Sequence, residues 1–172
     1  MTRPADSEYA PFYAAYIARV PEADLVQVLE VQPAELRVLA DNIDPEEELF
    51  RYAPEKWSVR QTFGHLIDTE RVMGYRGFRI ARGDGTPLPG FDEKVYVGAA
   101  DSDDRTVKEM AHEFAAVRSA NLWTIRRWTE DEWNRVGNAN GKAISARAIA
   151  YNMAGHVRHH VAILRERYGL QV

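Results

Sequence analysis

The chain has 172 residues, 45% hydrophobic and 28% charged, a length that fits one domain over residues 1–172 able to bury a core without disulfides or a structural metal. It contains no cysteine, which excludes a disulfide framework, a Cys-ligated zinc finger, an iron–sulfur cluster and a cysteine nucleophile. The net charge of −4 lacks the basic excess of a nucleic-acid binder, no run of ~18 apolar residues suggests a membrane span, and the polar start Met1-Thr2-Arg3-Pro4-Ala5-Asp6 lacks an apolar signal core, so a cytoplasmic protein without nucleic-acid or membrane partners is expected.

In chain order, residues 24–40 carry Leu25, Val28, Leu29, Leu36 and Leu39 at helical spacing, with Pro33 positioned to kink the helix or open a new turn. Ser58 and Gln61 read as a capping box for a second long helix, running to about Arg82, with Val59, Phe63, Leu66 and Met73 along one side. Residues 82–100 are dense in Gly and Pro and predict a long loop, of a length often used as a functional lid. A third helix is expected over residues 103–128, from the stripe Val107, Met110, Phe114, Val117, Ile125 and Trp128. Trp133 to Val136 is at best a short extended piece, and Gly137-Asn138-Ala139-Asn140-Gly141 reads as a turn. Ser145 is placed to cap a last helix, ending near Tyr168 with Gly169 as its stop. Four long amphipathic helices predict an all-α four-helix bundle, its second and third long helices joined by a connection that either crosses the bundle or lies over one end.

The five histidines carry the chemical information. At about 100° per residue, His160 falls within the apolar arc of the last helix (Ile149, Met153, Val157, Val161, Leu164) and His156 lies at its edge. Four residues apart, the two lie on one face with Cβ atoms roughly 5–6 Å apart and can share a metal ion. His159 points outside the arc. Two ligands on one helix rarely suffice, and His65 on the second helix is the candidate third. Three histidines with vacant positions suit Zn²⁺, Ni²⁺ or Fe²⁺ and leave room for water or substrate. Asp68 and Glu70 are candidates for a base or for orienting a ligand, and Asn152, one turn before His156, for a place in the same pocket. Asp92 and Tyr96, in the 82–100 loop, are candidates for shaping a substrate mouth. The bland reading is that histidines on apolar faces are satisfied core residues.

Other constellations are weaker. Glu109-Met110-Ala111-His112 has the Glu-x-x-His spacing of di-iron bundles, but such sites need it twice, and His112 lies opposite the apolar stripe. Trp123, Trp128 and Trp133 read as core or inter-element packing. Arg126-Arg127 and Arg165-Arg167 read as solvated faces.

The run Trp57-Ser58-Val59-Arg60-Gln61-Thr62-Phe63-Gly64-His65-Leu66-Ile67-Asp68-Thr69-Glu70 resembles the start of the second helix in the DinB/YfiT-like superfamily. Gly155-His156-Val157-Arg158-His159-His160 resembles the family's C-terminal His-x-x-x-His helix, and Pro89-Gly90-Phe91-Asp92-Glu93 and Asp131-Glu132-Trp133 are also similar to family features. The likeness runs from about Leu25 to Tyr168 in the same helix order. It implies a DinB-like bundle, one divalent metal held by His65, His156 and His160, and a homodimer. Family members with assigned roles include thiol S-transferases using bacillithiol or mycothiol and a mycothiol-dependent isomerase. The resemblance therefore implies thiol transfer or hydrolysis on a small molecule, with a low-molecular-weight thiol as a co-substrate. The alternative is a non-enzymatic, metal-binding, stress-associated bundle.

Overall fold

The computed structural model describes residues 2–170. Short 3-10 turns at Asp6–Glu8 and Pro11–Tyr13 lead into α1 (Ala14–Ile17). Asp24 caps α2 (Leu25–Asp41), its side chain accepting from the Gln27 N–H at 3.1 Å. Ser58 and Gln61 form the expected capping box of α3 (Val59–Ala81). The 82–100 segment is not all loop: Asp92 caps α4 (Glu93–Ala99) by accepting from Lys94 and Val95 N–H.

The third long helix, α5 (Val107–Ile125), starts four residues later than expected. Ser102–Asp104 forms a separate 3-10 turn, and Thr106 makes a capping box with Glu109. Trp133 lies within the short α6 (Glu130–Asn134) rather than in an extended piece. The following turn region belongs to an antiparallel hairpin, β1 (Val136–Ala139) with β2 (Lys142–Ser145), in register Val136↔Ser145. Asn140 and Gly141 at its tip have φ of 55° and 72°, the paired positive values of a tight hairpin turn. Ser145 then caps α7 (Ala146–Tyr168), and Gly169, at φ 73°, supplies the left-handed stop.

Four helices form the bundle. α2 packs on α5, α5 on α3, α3 on α7 and α7 on α2. This closed ring sets the consecutive long helices α2 and α3 at opposite corners, and α5 and α7 likewise. The diagonal link between α2 and α3 is pinned by polar contacts. Arg60 Nε donates to Glu48 at 2.7 Å, Arg51 Nη2 to Asp103 at 2.9 Å, and Ser58 Oγ to Asp103 at 2.6 Å. Since α3 and α5 are neighbours, the segment between them does not cross the bundle. It lies along the flank, with α4 on α3 and Leu88 bonded to the hairpin through Asn138 and Asn140.

The apolar core is split into two clusters. One gathers Leu29, Met73, Leu122 and Met153; the other gathers Leu36, Leu66, Phe114 and Val157. Between them runs a buried polar layer to which all four helices contribute. Arg118 of α5 is fully buried and grips Glu70 of α3 with two bonds, 2.8 and 2.9 Å. Its Nη1 also donates to Gln32 Oε1 at 2.9 Å and to the Leu29 carbonyl at 3.1 Å. The last contact explains how α2 runs through Pro33 unbroken. Proline has no N–H, so the Leu29 carbonyl lacks its helical donor, and Arg118 supplies one. Gln32 in turn donates to the Ala154 carbonyl of α7 at 2.8 Å.

Removing one member of a buried ion pair leaves the other charge uncompensated, which costs about 3–5 kcal/mol. Arg118→Met is therefore expected to destabilise the fold by that amount in urea unfolding. A loss below about 1 kcal/mol, the range of an exposed pair, would contradict this role.

Candidate metal centre

α3 and α7 lie side by side, and their facing surfaces carry polar residues at one-turn intervals: His65 and Thr69 on α3; Asn152, His156 and His160 on α7. The apolar neighbours Leu66, Met153, Val157 and Leu164 fix which way these faces turn. Gly155 has a separate task. A Cβ there would lie 2.0 Å from the Tyr16 carbonyl oxygen, so glycine lets α1 close down on α7 beside His156.

His65, His156 and His160 converge. His65 Nε2 lies 3.0 Å from His156 Nε2, and His160 Nε2 lies 3.1 Å from the same atom. Each of the three side chains offers a ligand atom within 4.8 Å of the others. Hydrogen bonding alone serves this cluster poorly. A neutral imidazole carries one N–H and one in-plane lone pair, and the single lone pair of His156 Nε2 cannot be well aligned with two donors. Nitrogens about 2.0–2.1 Å from a tetrahedral Zn²⁺ lie roughly 3.3 Å apart, close to the spacing here. The donor set therefore fits a divalent ion.

Burial also keeps the lone pairs available. It pulls the pKa of His65 down to about 4, with a further contribution from the nearby His159. It pulls His156 and His160 well below the ordinary imidazole range, helped by the neighbouring histidines. All three are neutral at pH 7, the form that coordinates metal. Trp57 packs against His65 with ring centroids 4.7 Å apart, and Tyr16 lies 5.6 Å from His156.

The cluster opens on a cavity of about 700 Å³, lined by His65, Thr69, Met73 and Arg76 of α3, by Asn152 and His156 of α7, and by Tyr13, Tyr16, Phe91 and Asp92. Of the residues singled out in the sequence, Asn152 and Asp92 line this cavity. Asn152 is buried and its Oδ1 has no partner among the described residues. Asp92 stands at the exposed rim with Oδ1 engaged in capping α4. Tyr96 is placed elsewhere, against Phe91 on an adjoining smaller pocket.

The two candidate bases do not line the cavity. Both oxygens of Glu70 are held by Arg118, and Oε1 also accepts from Asn121 at 2.8 Å, so Glu70 serves the buried layer instead. Asp68 faces Arg71 and Glu113, and burial pushes its carboxyl up. His159 packs edge-on against Tyr16, and His112 is exposed. Trp128 and Trp133 are buried edge to face, whereas Trp123 is 62% exposed with Arg127 over its ring, a correction to its reading as packing. Sequence reasoning missed Thr69, Arg76, Tyr13 and Tyr16. Thr69 and Arg76 had a signal, since both fall on the His65 side of α3 at 100° per residue.

Fold and cluster together define a helical bundle with a candidate three-histidine metal centre. The chain belongs to the DinB superfamily, whose family model matches residues 29–164. Among solved structures it is similar to YfiT from Bacillus subtilis, described as a probable metal-dependent hydrolase with an unusual four-helix bundle topology. The identity is 21% and the TM-score 0.76, over 86% of this chain and 87% of that one. It is also similar to the mycothiol-dependent maleylpyruvate isomerase at 12% identity and TM-score 0.65, covering 84% of this chain and 61% of the isomerase. No curated protein matches the chain. Among the described residues, no helix is long and apolar enough to cross a membrane.

The lowered histidine pKa values set a pH response for the metal-free protein. An unfolded imidazole near 6.5 takes a proton that folded His65 refuses until about 4, so stability is complete above 6.5 and falls as the pH drops between these values. Thermal melts at stepped pH should show this loss, and His65→Gln should reduce it between pH 6.5 and 5. A melting temperature that stays flat across that range would contradict neutral burial.

Proposed function

We propose that this chain binds one divalent metal ion through His65, His156 and His160 and acts as a metal-dependent enzyme on a small molecule admitted by the adjoining cavity. Thiol transfer or hydrolysis is the reaction class. The observation that carries the proposal is the convergence of three neutral imidazoles at the wall of an open cavity. Three protein ligands leave a coordination position free, the arrangement of catalytic rather than structural zinc sites. The two structural relatives, one described as a probable metal-dependent hydrolase and the other as a mycothiol-dependent isomerase, support the same class. Zn²⁺, Ni²⁺ and Fe²⁺ all suit this ligand set. The ion supplies Lewis acidity, which lowers the pKa of a thiol or water presented to it.

The chain's own residues divide the remaining work. His65 and His156 face the cavity, while His160 completes the set from behind. Thr69 Oγ1 and Asn152 Oδ1 are buried without partners among the described residues, and each offers a hydrogen bond to a bound molecule. Burial and the charge of Glu93 hold the Tyr16 hydroxyl above the ordinary tyrosine range, so it remains a proton donor at neutral pH. The carboxylates that line the cavity, Asp92 and Glu93, stand at its rim, where a proton can pass to solvent.

Elemental analysis of tag-free protein tests the proposal. About one metal per chain is expected for three converging ligands. His65→Ala and His156→Ala should lose it while keeping their helical circular dichroism. Absence of metal even after Zn²⁺ or Ni²⁺ is added back would overturn the metal centre and the enzyme with it.

A further inference from the structure

The cavity holds a cation that the metal centre does not use. Arg76 lines it, is only 3% exposed, and among the described residues pairs with no carboxylate. It contacts the Pro89 carbonyl, 2.5 Å from Nη2, the Met73 sulfur, 3.8 Å from Nη1, and the ring of Phe91, 5.6 Å from Cζ. Buried guanidinium groups are ordinarily matched by an anion, as Arg118 is by Glu70 in the same bundle. Asp92, Glu93 and Lys94 also line the cavity, but all three are exposed, where solvent and salt screen them.

The placement of Arg76 is directional. His65, Thr69, Met73 and Arg76 fall within about 80° of one another around α3, forming a strip along the cavity wall. The Arg76 side chain turns back along that strip, since its guanidinium reaches Met73, one turn nearer the histidines. At 1.5 Å per residue this leaves the guanidinium on the order of 12 Å from the histidine cluster. Two unpartnered polar atoms, Thr69 Oγ1 and Asn152 Oδ1, lie on the same lining.

We infer that the cavity takes an elongated anionic substrate, with its carboxylate or comparable anionic end bound by Arg76 and its reacting end at the histidine cluster. The inference rests on the metal-centre reading for the reacting end only. A planar guanidinium offers two parallel donors to a carboxylate, and the desolvated setting strengthens them. Thr69 and Asn152 meet the polar middle of the molecule. The Pro89 and Phe91 contacts tie the same arginine to the segment after α3, so substrate and cavity wall share one anchor.

The test compares 6-mercaptohexanoate with 6-mercaptohexanol by calorimetry on the full chain, zinc-loaded and metal-free. The extended acid spans roughly 13 Å including its contacts at both ends, and the two probes differ only in the charged terminus. A hydrogen bond to a charged group is worth ~1.5–3 kcal/mol, so the acid should bind about 10-fold to 100-fold more tightly than the alcohol. The zinc-loaded Arg76→Gln variant should lose most of that preference and keep its metal. His65→Ala should lose metal and bind both thiols weakly while still preferring the acid. Equal binding of acid and alcohol by wild-type protein, with or without zinc, overturns the anion site and leaves the metal reading standing. An Arg76-dependent preference in a protein that takes up no metal does the reverse. Because wild-type protein alone decides the matter, a variant that fails to fold does not.

Discussion

The buried pair between Arg118 and Glu70 sets the height and rotation of every long helix in this bundle. A guanidinium with no solvent around it must satisfy its donors, and Arg118 does so on α2 and α3 together. Gln32 then extends the bonding to α7. Apolar packing alone tolerates small rotations, because Leu and Val contacts have no direction, whereas a bidentate pair does not. The layer lies one residue from Thr69 on α3 and two from His156 at the Ala154 carbonyl on α7. Holding these points holds the histidines. The polar layer is the scaffold of the site, and the split between the two apolar clusters follows from it.

At the site itself the governing constraint is the number of lone pairs. Three imidazole nitrogens meet at 3.0 and 3.1 Å around His156, in surroundings that disfavour positive charge on any of them. Excess protons could fill such a cluster only by placing charge where burial resists it. A divalent ion meets three lone pairs at once and spreads its charge over them. The close approach of α1 at Gly155 and the cover from Trp57 and Tyr16 keep water from most of the cluster and leave the cavity as its approach.

Much of this was legible in the sequence, for local reasons. Ser58, Ser145 and Gly169 announce helix ends because capping depends on the residue itself and its immediate neighbours. His156 and His160 announce a shared face because helical geometry fixes it. That His65 faces this pair from a neighbouring helix followed only from family resemblance, since no spacing within one helix tells which helix lies beside it. Arg118 was invisible for a related reason: its partners sit on two other helices, and on α5 it merely interrupts the stripe between Phe114 and Leu122. Arg76 occupies a similar interruption, between Met73 and Ile80, among arginines that are mostly exposed. The hairpin was missed because its strands have four residues each, too few for alternation to stand out, although Asn140-Gly141 is a strong turn pair. Glu70 was misjudged because a carboxylate near a metal ligand in sequence can face the opposite side of the helix.

X-ray absorption on zinc-loaded protein tests the three-histidine centre most directly. The expected spectrum shows three imidazole nitrogens at about 2.0–2.1 Å with ring multiple scattering, plus a further light-atom ligand. That added ligand should give way to sulfur when a small thiol is supplied. A shell with fewer than three imidazoles, or one closed by a fourth protein ligand that no thiol displaces, would contradict the open three-histidine centre.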